Sequence, residues 1–166
     1  MEIVLRPIGF VKHGHPDNVV DESLHGVDGE IHVFEEYAQA LRGLEGFSHI
    51  IIVAYLHRYR DKCPENPLIV RFRRFLRYGF SLDELPEVGV FACDAPCRPN
   101  PIAITIARLL GIENNVLKVR NLDLYDGTPV LDIKPYTPSR RIEDLSVPRW
   151  FAEFSAKVRE RLGIEI

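Results

Sequence analysis

The segment Arg98-Pro99-Asn100-Pro101 combines a cation and an amide with two prolines. Each proline holds its own φ at about −65° and pushes the preceding residue toward extended geometry. Arg98 and Asn100 are therefore presented with little conformational freedom, which lowers the ordering cost of binding a ligand. The same residues also fit a stiff corner between two strands, so both interpretations are open for the motif alone.

A second polar stretch runs from Tyr125 to Tyr136. It starts with the turn dipeptide Asp126-Gly127 and continues as an alternating strand that places Asp132, Lys134 and Tyr136 on one face. A carboxylate, an ammonium group and a phenol on one face can orient a substrate and move a proton. The competing interpretation is the solvated outer face of an antiparallel strand.

Basic residues are concentrated between His57 and Tyr78, where seven arginines and lysines accompany two acidic residues, although the chain has a formal net charge of −3. The run from Arg71 to Tyr78 interleaves aromatic side chains with arginines, as expected where phosphates are neutralised and unstacked bases find a platform. Its apolar members also stand at helical spacing, so they equally fit the buried side of a short helix. The predicted RNA contacts are Arg71, Arg73, Arg74 and Arg77.

Length and composition predict one domain over residues 1–166, because a chain of this size with 46% hydrophobic residues can bury one sizeable core. The N-terminus lacks a basic segment followed by a long apolar one, and no apolar run approaches membrane-spanning length. We therefore expect a cytoplasmic protein with no membrane partner.

Three cysteines make an odd count without a secretory signal, which argues against a disulfide framework. Cys93 and Cys97 have the spacing of ligands on one helix face, but Pro96 and Pro99 disrupt that helix. We predict no metal site, while a link between Cys93 and Cys97 stays open.

Most of the chain is predicted to form short strands, because runs rich in β-branched residues are interrupted by Gly, Pro, Asn and Asp. The predicted strands are Ile8 to Val11, Glu30 to Phe34, His49 to Leu56, Val88 to Ala92, Ala103 to Leu110, Val116 to Arg120 and Pro129 to Ile133. Gly111 to Asn115 is predicted to be a hairpin turn. Helices are predicted at Glu35 to Leu41 and at about 147–162, the latter with Ser146 as its N-cap.

The pattern lacks the regular alternation of strands with long helices, and no Gly-x-Gly-x-x-Gly follows the first strand. A Rossmann-type domain is therefore disfavoured. The predicted fold is mainly β: a single small antiparallel or mixed β-barrel with a few short helices and a C-terminal helix.

The two polar blocks, taken in order with Gly89-Val90-Phe91-Ala92 and Arg42 to His49, resemble the TsaA-like, or TrmO, family. The resemblance extends from Ile8-Gly9 to Tyr136. It implies a homodimeric, S-adenosylmethionine-dependent methyltransferase. The implied substrate is N6 of threonylcarbamoyladenosine, the modified nucleoside just 3′ of the anticodon of a tRNA.

The resemblance also assigns roles to individual residues. The implied cofactor-binding residues are His57, Arg58, Arg98, Leu109, Tyr125, Asp126, Gly127 and Thr128. It favours the catalytic interpretation of the strand face after this turn. There Asp132 would orient or deprotonate the nitrogen, Lys134 would pair with the carboxylate of the substrate, and Tyr136 would stack or donate a hydrogen bond.

Two positions depart from the family pattern. Asp94 stands where members read arginine in Ala-Thr-Arg-Ser-Pro, and Ala103 replaces the usual glycine after Ile102. Asp94 reverses a charge and would repel an anionic substrate group. Two alternatives therefore stay open: a methyltransferase of this fold with a different substrate, and a non-catalytic barrel that binds S-adenosylmethionine or RNA.

Overall fold

The computed structural model describes residues 2–59, 63 and 68–166, and six of its strands form a closed antiparallel barrel. The strands of the chain are β1 (Gly9–Lys12), β2 (Val27–Val33), β3 (His49–Tyr55), β4 (Ile69–Arg71), β5 (Glu87–Gly89), β6 (Ile102–Glu113), β7 (Val116–Leu122) and β8 (Pro129–Pro135). The order around the barrel is β1-β2-β7-β6-β3-β8, and pairing of Gly9 with Val130 closes it. The prediction of a mainly β barrel is confirmed.

Strand β3 shows how the sequence fills the barrel. Its side chains alternate, with Ile50, Ile52 and Ala54 fully buried and Ile51 and Val53 turned to the outer face. Since both sets are apolar, the strand is hydrophobic on its outer side as well as in the core. Val11, Ile31, Leu117, Val119, Leu122, Leu124 and Val130 complete most of the barrel interior.

The chain divides into two compact units, Met1–Cys63 with Asn100–Arg140, and Pro64–Pro99 with Arg141–Ile166. The first contains the barrel. The second contains the two-stranded sheet of β4 and β5 and an apolar cluster of its own. That cluster consists of Phe75, Phe80, Leu85, Phe154 and Val158. Assignment of residues 1–166 to one domain stays a prediction.

The two predicted helices exist, with differences in type and in capping. Glu35–Leu41 is a 3₁₀-helix with the predicted bounds. The C-terminal helix is Arg149–Leu162, and its N-cap is Pro148, whose carbonyl accepts the first hydrogen bonds of the helix. Ser146 lies too early to cap it, so that prediction is wrong. No helix among the described residues is both long and apolar enough to cross a bilayer.

Several predicted strand boundaries differ from the structure, and in two places a predicted strand end or hairpin turn is replaced by another element. Val90–Ala92 forms a 3₁₀ turn after β5, with the Val90 side chain buried and its amide donating to the carbonyl of Leu68. Strand β6 continues to Glu113, so the predicted turn from Gly111 to Asn115 contracts to a tight connection in which Asn114 has φ 55°. A register shift between Leu109 and Gly111 lets the pairing with β7 continue.

The oxidation state of two cysteines differs from the expectation that the chain has no disulfide framework. Cys63 and Cys97 are disulfide-bonded, and Cys93 is free. The Cys93 thiol donates instead to the carbonyl oxygen of Val90, at 3.7 Å. The link between Cys93 and Cys97 that the sequence left open is therefore not formed.

Candidate functional site

One end of the barrel carries a polar site, because antiparallel pairing brings the end of β3 to the start of β8. There the turn Tyr125–Thr128 is closed by a hydrogen bond from the Thr128 amide to the Tyr125 carbonyl, at 3.1 Å. Gly127 adopts φ 77°, which glycine reaches at little steric cost. We define the barrel-end cluster as His57, Arg58, Tyr59 and Tyr125–Thr128 with their partners Lys12, His13, Asp17 and Asp21. It unites six of the predicted cofactor residues, namely His57, Arg58, Tyr125, Asp126, Gly127 and Thr128.

Asp126 anchors the turn to the end of β1. Its carboxylate accepts hydrogen bonds from the backbone amides of His13, at 2.8 Å, and Gly14, at 3.3 Å, and Lys12 lies 3.5 Å away. Burial alone raises the pKa of the Asp126 carboxyl, but the two amides and the charge of Lys12 outweigh it and lower the pKa below its ordinary value. The carboxylate is therefore ionised and engaged within the protein.

Arg58 joins the turn to a short helix, α1 (Asp17–Glu22). Its guanidinium donates to the Asp17 carboxylate at 2.6 Å and to the backbone carbonyl of Asp126 at 3.0 Å. The guanidinium carbon also lies 5.9 Å from the centre of the Tyr125 ring, within range of a cation–π contact. Two of the guanidinium nitrogens of Arg58 thus donate hydrogen bonds within the cluster, while the side chain stays partly exposed.

Tyr125 and Thr128 are the buried members of the cluster, with 7% and 2% of their surfaces exposed. The hydroxyl of Tyr125 is the polar group that burial affects most. This hydroxyl donates to the Asp21 carboxylate at 2.7 Å and accepts a hydrogen bond from the Tyr59 hydroxyl, and the two rings stack at 5.3 Å. Burial, followed by these hydrogen bonds, raises the pKa of Tyr125 above its ordinary value. The phenol therefore stays protonated and acts as a fixed support.

His57 differs from its neighbours because its Nδ1 atom is buried and has no hydrogen-bond partner among the described residues. Burial lowers the pKa of the imidazole, and the charge of Arg58 lowers it further. His57 is therefore a neutral ring with an unused polar atom. A buried polar atom without a partner is costly unless a ligand satisfies it, so this atom is the member of the cluster with an unused capacity for a hydrogen bond to a ligand.

The barrel-end cluster contains charges of both signs. Within the part of the chain described here, it holds three carboxylates, of Asp17, Asp21 and Asp126, and two permanent cations, Lys12 and Arg58. His57 adds no positive charge, because its pKa is lowered. The described residues contain no group of three or more His, Cys, Asp or Glu side chains that could hold a metal ion.

Leu109 lies at the other end of the barrel. It follows Arg108, which pairs with His49 at the start of β3, and its amide donates to the Ser48 carbonyl. The length of β3 separates it from His57 by about 20 Å along the strand. One copy of the barrel therefore does not bring Leu109 to the barrel-end cluster.

The predicted catalytic residues lie on or beside the outer face of β8. Asp132 and Lys134 pair with Val53 and Ile51 of β3, and their side chains form an ion pair at 2.6 Å with about half of each exposed. The rise of four strand residues places Asp132 about 13 Å from Thr128, the last residue of the turn Tyr125–Thr128. Tyr136 is farther along, where its amide donates to the His49 carbonyl.

The second unit holds Arg98 and the predicted RNA-contacting arginines. Arg98 donates to the carbonyl of Cys93 at 3.1 Å. Arg71 is engaged by the Glu87 carboxylate and by two backbone carbonyls. Arg73, Arg74 and Arg77 are exposed on the 3₁₀-helix Arg73–Tyr78, whose Phe75 is buried. The burial of Phe75 agrees with the helix interpretation of this run, whereas Leu76 is 43% exposed. Contact of the arginines with RNA stays a prediction. Arg60 and Lys62, also counted in the basic segment, lie outside the described residues.

The two departures from the family pattern have different surroundings. Asp94 is exposed. Ala103 pairs with Ala54 and packs against the barrel core.

Helix α1 is the functional element that sequence reasoning missed. It supplies Asp17 and Asp21, which hold Arg58 and Tyr125. The available signal was Pro16 before Asp17, since a proline at a helix start and an acid in the first turn are both favoured.

The structure shows a small antiparallel barrel with a polar cluster, the candidate ligand site, at one end. The family model of the tRNA-methyltransferase O N-terminal domain matches residues 12–140, which include every member of the barrel-end cluster. The chain therefore belongs to the family of the tRNA-methyltransferase O N-terminal domain, as the sequence resemblance predicted.

Known relatives agree with this assignment. The chain is 36% identical over 140 residues to a probable S-adenosyl-L-methionine-binding protein of Pyrococcus abyssi, covering 82% of this chain and 69% of the relative. It is 38% identical over 117 residues to the tRNA (adenine(37)-N6)-methyltransferase of Escherichia coli, covering 67% of this chain and 46% of that enzyme. The crystal structure of TrmO from Pseudomonas aeruginosa superimposes with a TM-score of 0.61 at 29% identity, covering 88% of this chain and 61% of that one. The predicted cofactor agrees with the name of the archaeal relative.

Proposed function

We propose that the protein is an S-adenosylmethionine-dependent methyltransferase that acts on N6 of threonylcarbamoyladenosine next to the anticodon of a tRNA. The observation that carries the proposal is the family match over residues 12–140, because it includes the whole barrel-end cluster. The Escherichia coli relative, named for methylation at N6 of adenine 37, supports the substrate class. A tRNA substrate is consistent with the predicted cytoplasmic location.

The barrel-end cluster suits S-adenosylmethionine, which supplies a methyl group on a positively charged sulfur when bound. The unpartnered Nδ1 of His57 can accept or donate one hydrogen bond to it, depending on the tautomer. Asp126 and Tyr125 hold the surrounding backbone in place. Arg98 keeps the role assigned by the resemblance, which is to pair with a carboxylate.

Asp132, Lys134 and Tyr136 are the proposed substrate residues. N6 would take the methyl group by displacement, so that the bond from the methyl carbon to the sulfonium sulfur breaks and leaves a neutral thioether. N6 would lose its proton in the same step, and the Asp132 carboxylate is the proposed acceptor. In the free protein Lys134 occupies that carboxylate. The threonyl carboxylate of the substrate would compete for Lys134 and so release Asp132, while Tyr136 stacks or donates a hydrogen bond. Most of the remaining rate enhancement comes from placement.

RNA phosphates are the proposed partners of the exposed basic side of the second unit. Arg73, Arg74 and Arg77 are exposed there. Arg71 contributes only where a phosphate displaces Glu87, since the two side chains form an ion pair. Neutralisation of phosphates gives affinity without reading sequence, so these arginines would orient the tRNA and leave recognition of the nucleoside to the barrel.

A homodimer is the proposed assembly. The outer faces of β3 and β6 are apolar, and Ile104 and Ile106 are 72% and 52% exposed. Exposed apolar surface of this kind favours association. Because Leu109 lies at the far end of its own barrel, its predicted cofactor contact requires the site of a second copy.

Nucleoside mass spectrometry tests the proposal. The protein is incubated with S-adenosylmethionine and tRNA that carries or lacks threonylcarbamoyladenosine. A gain of one methyl group confined to the modified nucleoside is the expected result. Cofactor binding without any methylation would contradict it and favour a binding protein.

A second candidate is a methyltransferase of this fold with a different substrate. The exposed Asp94 favours it, because an aspartate there would repel the phosphate or carboxylate that an arginine attracts. Methylation of a nucleoside other than threonylcarbamoyladenosine in the same experiment would establish this candidate.

A further inference from the structure

The barrel unit has a cavity of about 330 Å³ beside the barrel-end cluster. One wall is the N-terminal segment that contains Leu5, and another is Tyr55 at the end of β3. Pro101 in the loop before β6 forms a further wall. Pro129 and Leu131 of β8 complete the lining. The volume lies within the range of about 300–1,000 Å³ typical of small-molecule sites.

Backbone hydrogen bonds hold the cavity walls. The Leu56 amide donates to the Pro101 carbonyl at 2.7 Å, and the Ile102 amide donates to the Asn100 carbonyl at 2.7 Å. On the other side, the Ile8 amide donates to the Val130 carbonyl at 2.8 Å. With φ fixed at the prolines as well, little ordering is needed before a ligand enters.

The chemistry of the lining suits a flat heteroaromatic group. Among the described residues that line the cavity, none carries a charge. The proline rings, leucine and isoleucine side chains offer apolar contacts, and Tyr55 offers an aromatic ring on which a base can stack. The exposed amide of Asn100 provides both donors and an acceptor for the polar edge of a base.

The cavity and the barrel-end cluster share the same strand ends. Tyr55 is two residues before His57, whose amide donates to the Tyr55 carbonyl at 2.8 Å. Pro129 directly follows Thr128 of the turn. A group in the cavity is therefore adjacent to a group bound at the cluster, as transfer between the two requires.

We propose that this cavity receives the base of the target nucleoside, unstacked from its RNA, with Tyr55 and the prolines on its faces and Asn100 at its edge. The inference rests on the proposed function, which supplies the nucleoside as substrate. An enzyme that modifies a base must reach it outside the stack, and a cavity lined without charge accepts the base while excluding the phosphates.

A matched pair of substitutions in the N-terminal segment tests the proposal. Leu5→Trp fills the cavity, whereas Val4→Trp adds the same indole at a position that is 75% exposed and does not line it. For Leu5→Trp we expect the KM for tRNA to rise by about tenfold or more, while the Kd for S-adenosylmethionine, measured by calorimetry, stays within about twofold. Val4→Trp is expected to match the wild type in both.

A direct binding measurement separates this inference from the proposed function. Saturation-transfer NMR with free threonylcarbamoyladenosine should give a signal with the wild type and with Val4→Trp, and none with Leu5→Trp. Asn100→Ala, at an exposed position, provides a second variant and should weaken the same signal. Thermal unfolding of each variant confirms that it folds.

The outcomes are distinct. If the wild type methylates no tRNA, the proposed function fails, and the nucleoside signal alone then decides whether the cavity binds the base. Unchanged kinetics for Leu5→Trp in an active enzyme overturn the inference. An equal loss of S-adenosylmethionine affinity in Leu5→Trp also overturns it, because the cavity would then belong to the cofactor. Absence of any nucleoside signal with the wild type is likewise contrary to it.

Discussion

The barrel-end cluster and the outer face of β8 are both polar and belong to the same unit, yet they are organised differently. In the cluster, the Asp126 carboxylate accepts hydrogen bonds from backbone amides. The Tyr125 hydroxyl makes two hydrogen bonds, and the Arg58 guanidinium donates to a carboxylate and to a backbone carbonyl. On β8, the Asp132 carboxylate accepts one hydrogen bond, from the amide of the next residue, and forms an ion pair with Lys134, with about half of each side chain exposed. The cluster is therefore tied by several hydrogen bonds to distant parts of the chain, whereas the strand face is tied only locally.

This difference indicates how the two halves of the proposed reaction are prepared. A preorganised site loses little entropy on binding, which suits a small cofactor common to every turnover. An exposed pair can exchange partners at low cost, which suits a substrate that brings its own carboxylate. We therefore expect substitutions in the cluster to alter stability and cofactor affinity, and substitutions on β8 to alter turnover.

The largest expected effect is on turnover in Asp132→Asn. Removing the proposed proton acceptor should lower kcat by about 100-fold or more, because general-base catalysis contributes at least that much. The affinity for S-adenosylmethionine should stay within about twofold, since the residue lies about 13 Å along β8 from the turn. Steady-state methylation and calorimetry measure the two quantities. Loss of both together would contradict the division between the two regions.

The next effect is on stability in Asp126→Ala. Two backbone amides lose a charged acceptor, so the free energy of unfolding should fall by about 2 kcal/mol. Urea denaturation measures it. Asp132→Ala, which removes a half-exposed carboxylate, is the matched control and should cost no more than about 0.5 kcal/mol. Equal losses would remove the contrast between the regions.

The pH dependence of the Asp126 contribution has a defined sign. The folded pKa of its carboxyl is lowered, so the contribution is fully present above the unfolded pKa of about 3.9 and is lost as pH falls through the folded value. The stability difference between the wild type and Asp126→Asn should therefore shrink below about pH 4. A difference that grows on acidification would refute this account.

A smaller effect is expected on cofactor affinity in His57→Ala. The substitution removes the unpartnered Nδ1 that we assign to the cofactor, so the Kd for S-adenosylmethionine should rise by about tenfold, the value of one hydrogen bond. Calorimetry measures it. Arg120→Ala, which breaks an exposed ion pair with Asp28 elsewhere on the barrel, serves as the control. A histidine variant that binds as tightly as the wild type would show that Nδ1 does not contact the cofactor.

The smallest expected effect is the coupling between Asp132 and Lys134. Because both side chains are about half exposed, a double-mutant cycle in the free protein should give a coupling of about 0.2–1 kcal/mol. Saturation with substrate should reduce it further, since Lys134 then pairs elsewhere. A coupling above about 2 kcal/mol would mean that the pair is too strong to exchange partners as proposed.

The barrel was predictable because its strands carry strong local signals. Strand β3 alternates buried and outward positions and is apolar throughout, and the turn residues between strands are those that local geometry favours. The errors lie where local signals compete. Ser146 is a better N-cap by residue type than Pro148, but the chain stays extended through Pro148 and the helix starts after it.

The family resemblance, and not the residue pattern alone, assigned the residues after β3 and the turn Tyr125–Thr128 to the cofactor. Their contacts were not predicted, because Arg58 contacts a residue 41 positions away and Tyr125 one 104 positions away. Barrel register determines such contacts, and a single sequence does not reveal register. The cofactor contact of Leu109, which lies at the opposite end of its own barrel, stays a prediction.

The pairing of β8 with β3 contains a bulge beside the cavity. Val53 pairs with Asp132 and Ala54 pairs with Val130, so Leu131 is an extra residue with no partner on β3. Leu131 is also one of the residues that line the cavity. Deletion of Leu131 would therefore remove part of the proposed base pocket while leaving both neighbouring strand pairs in register.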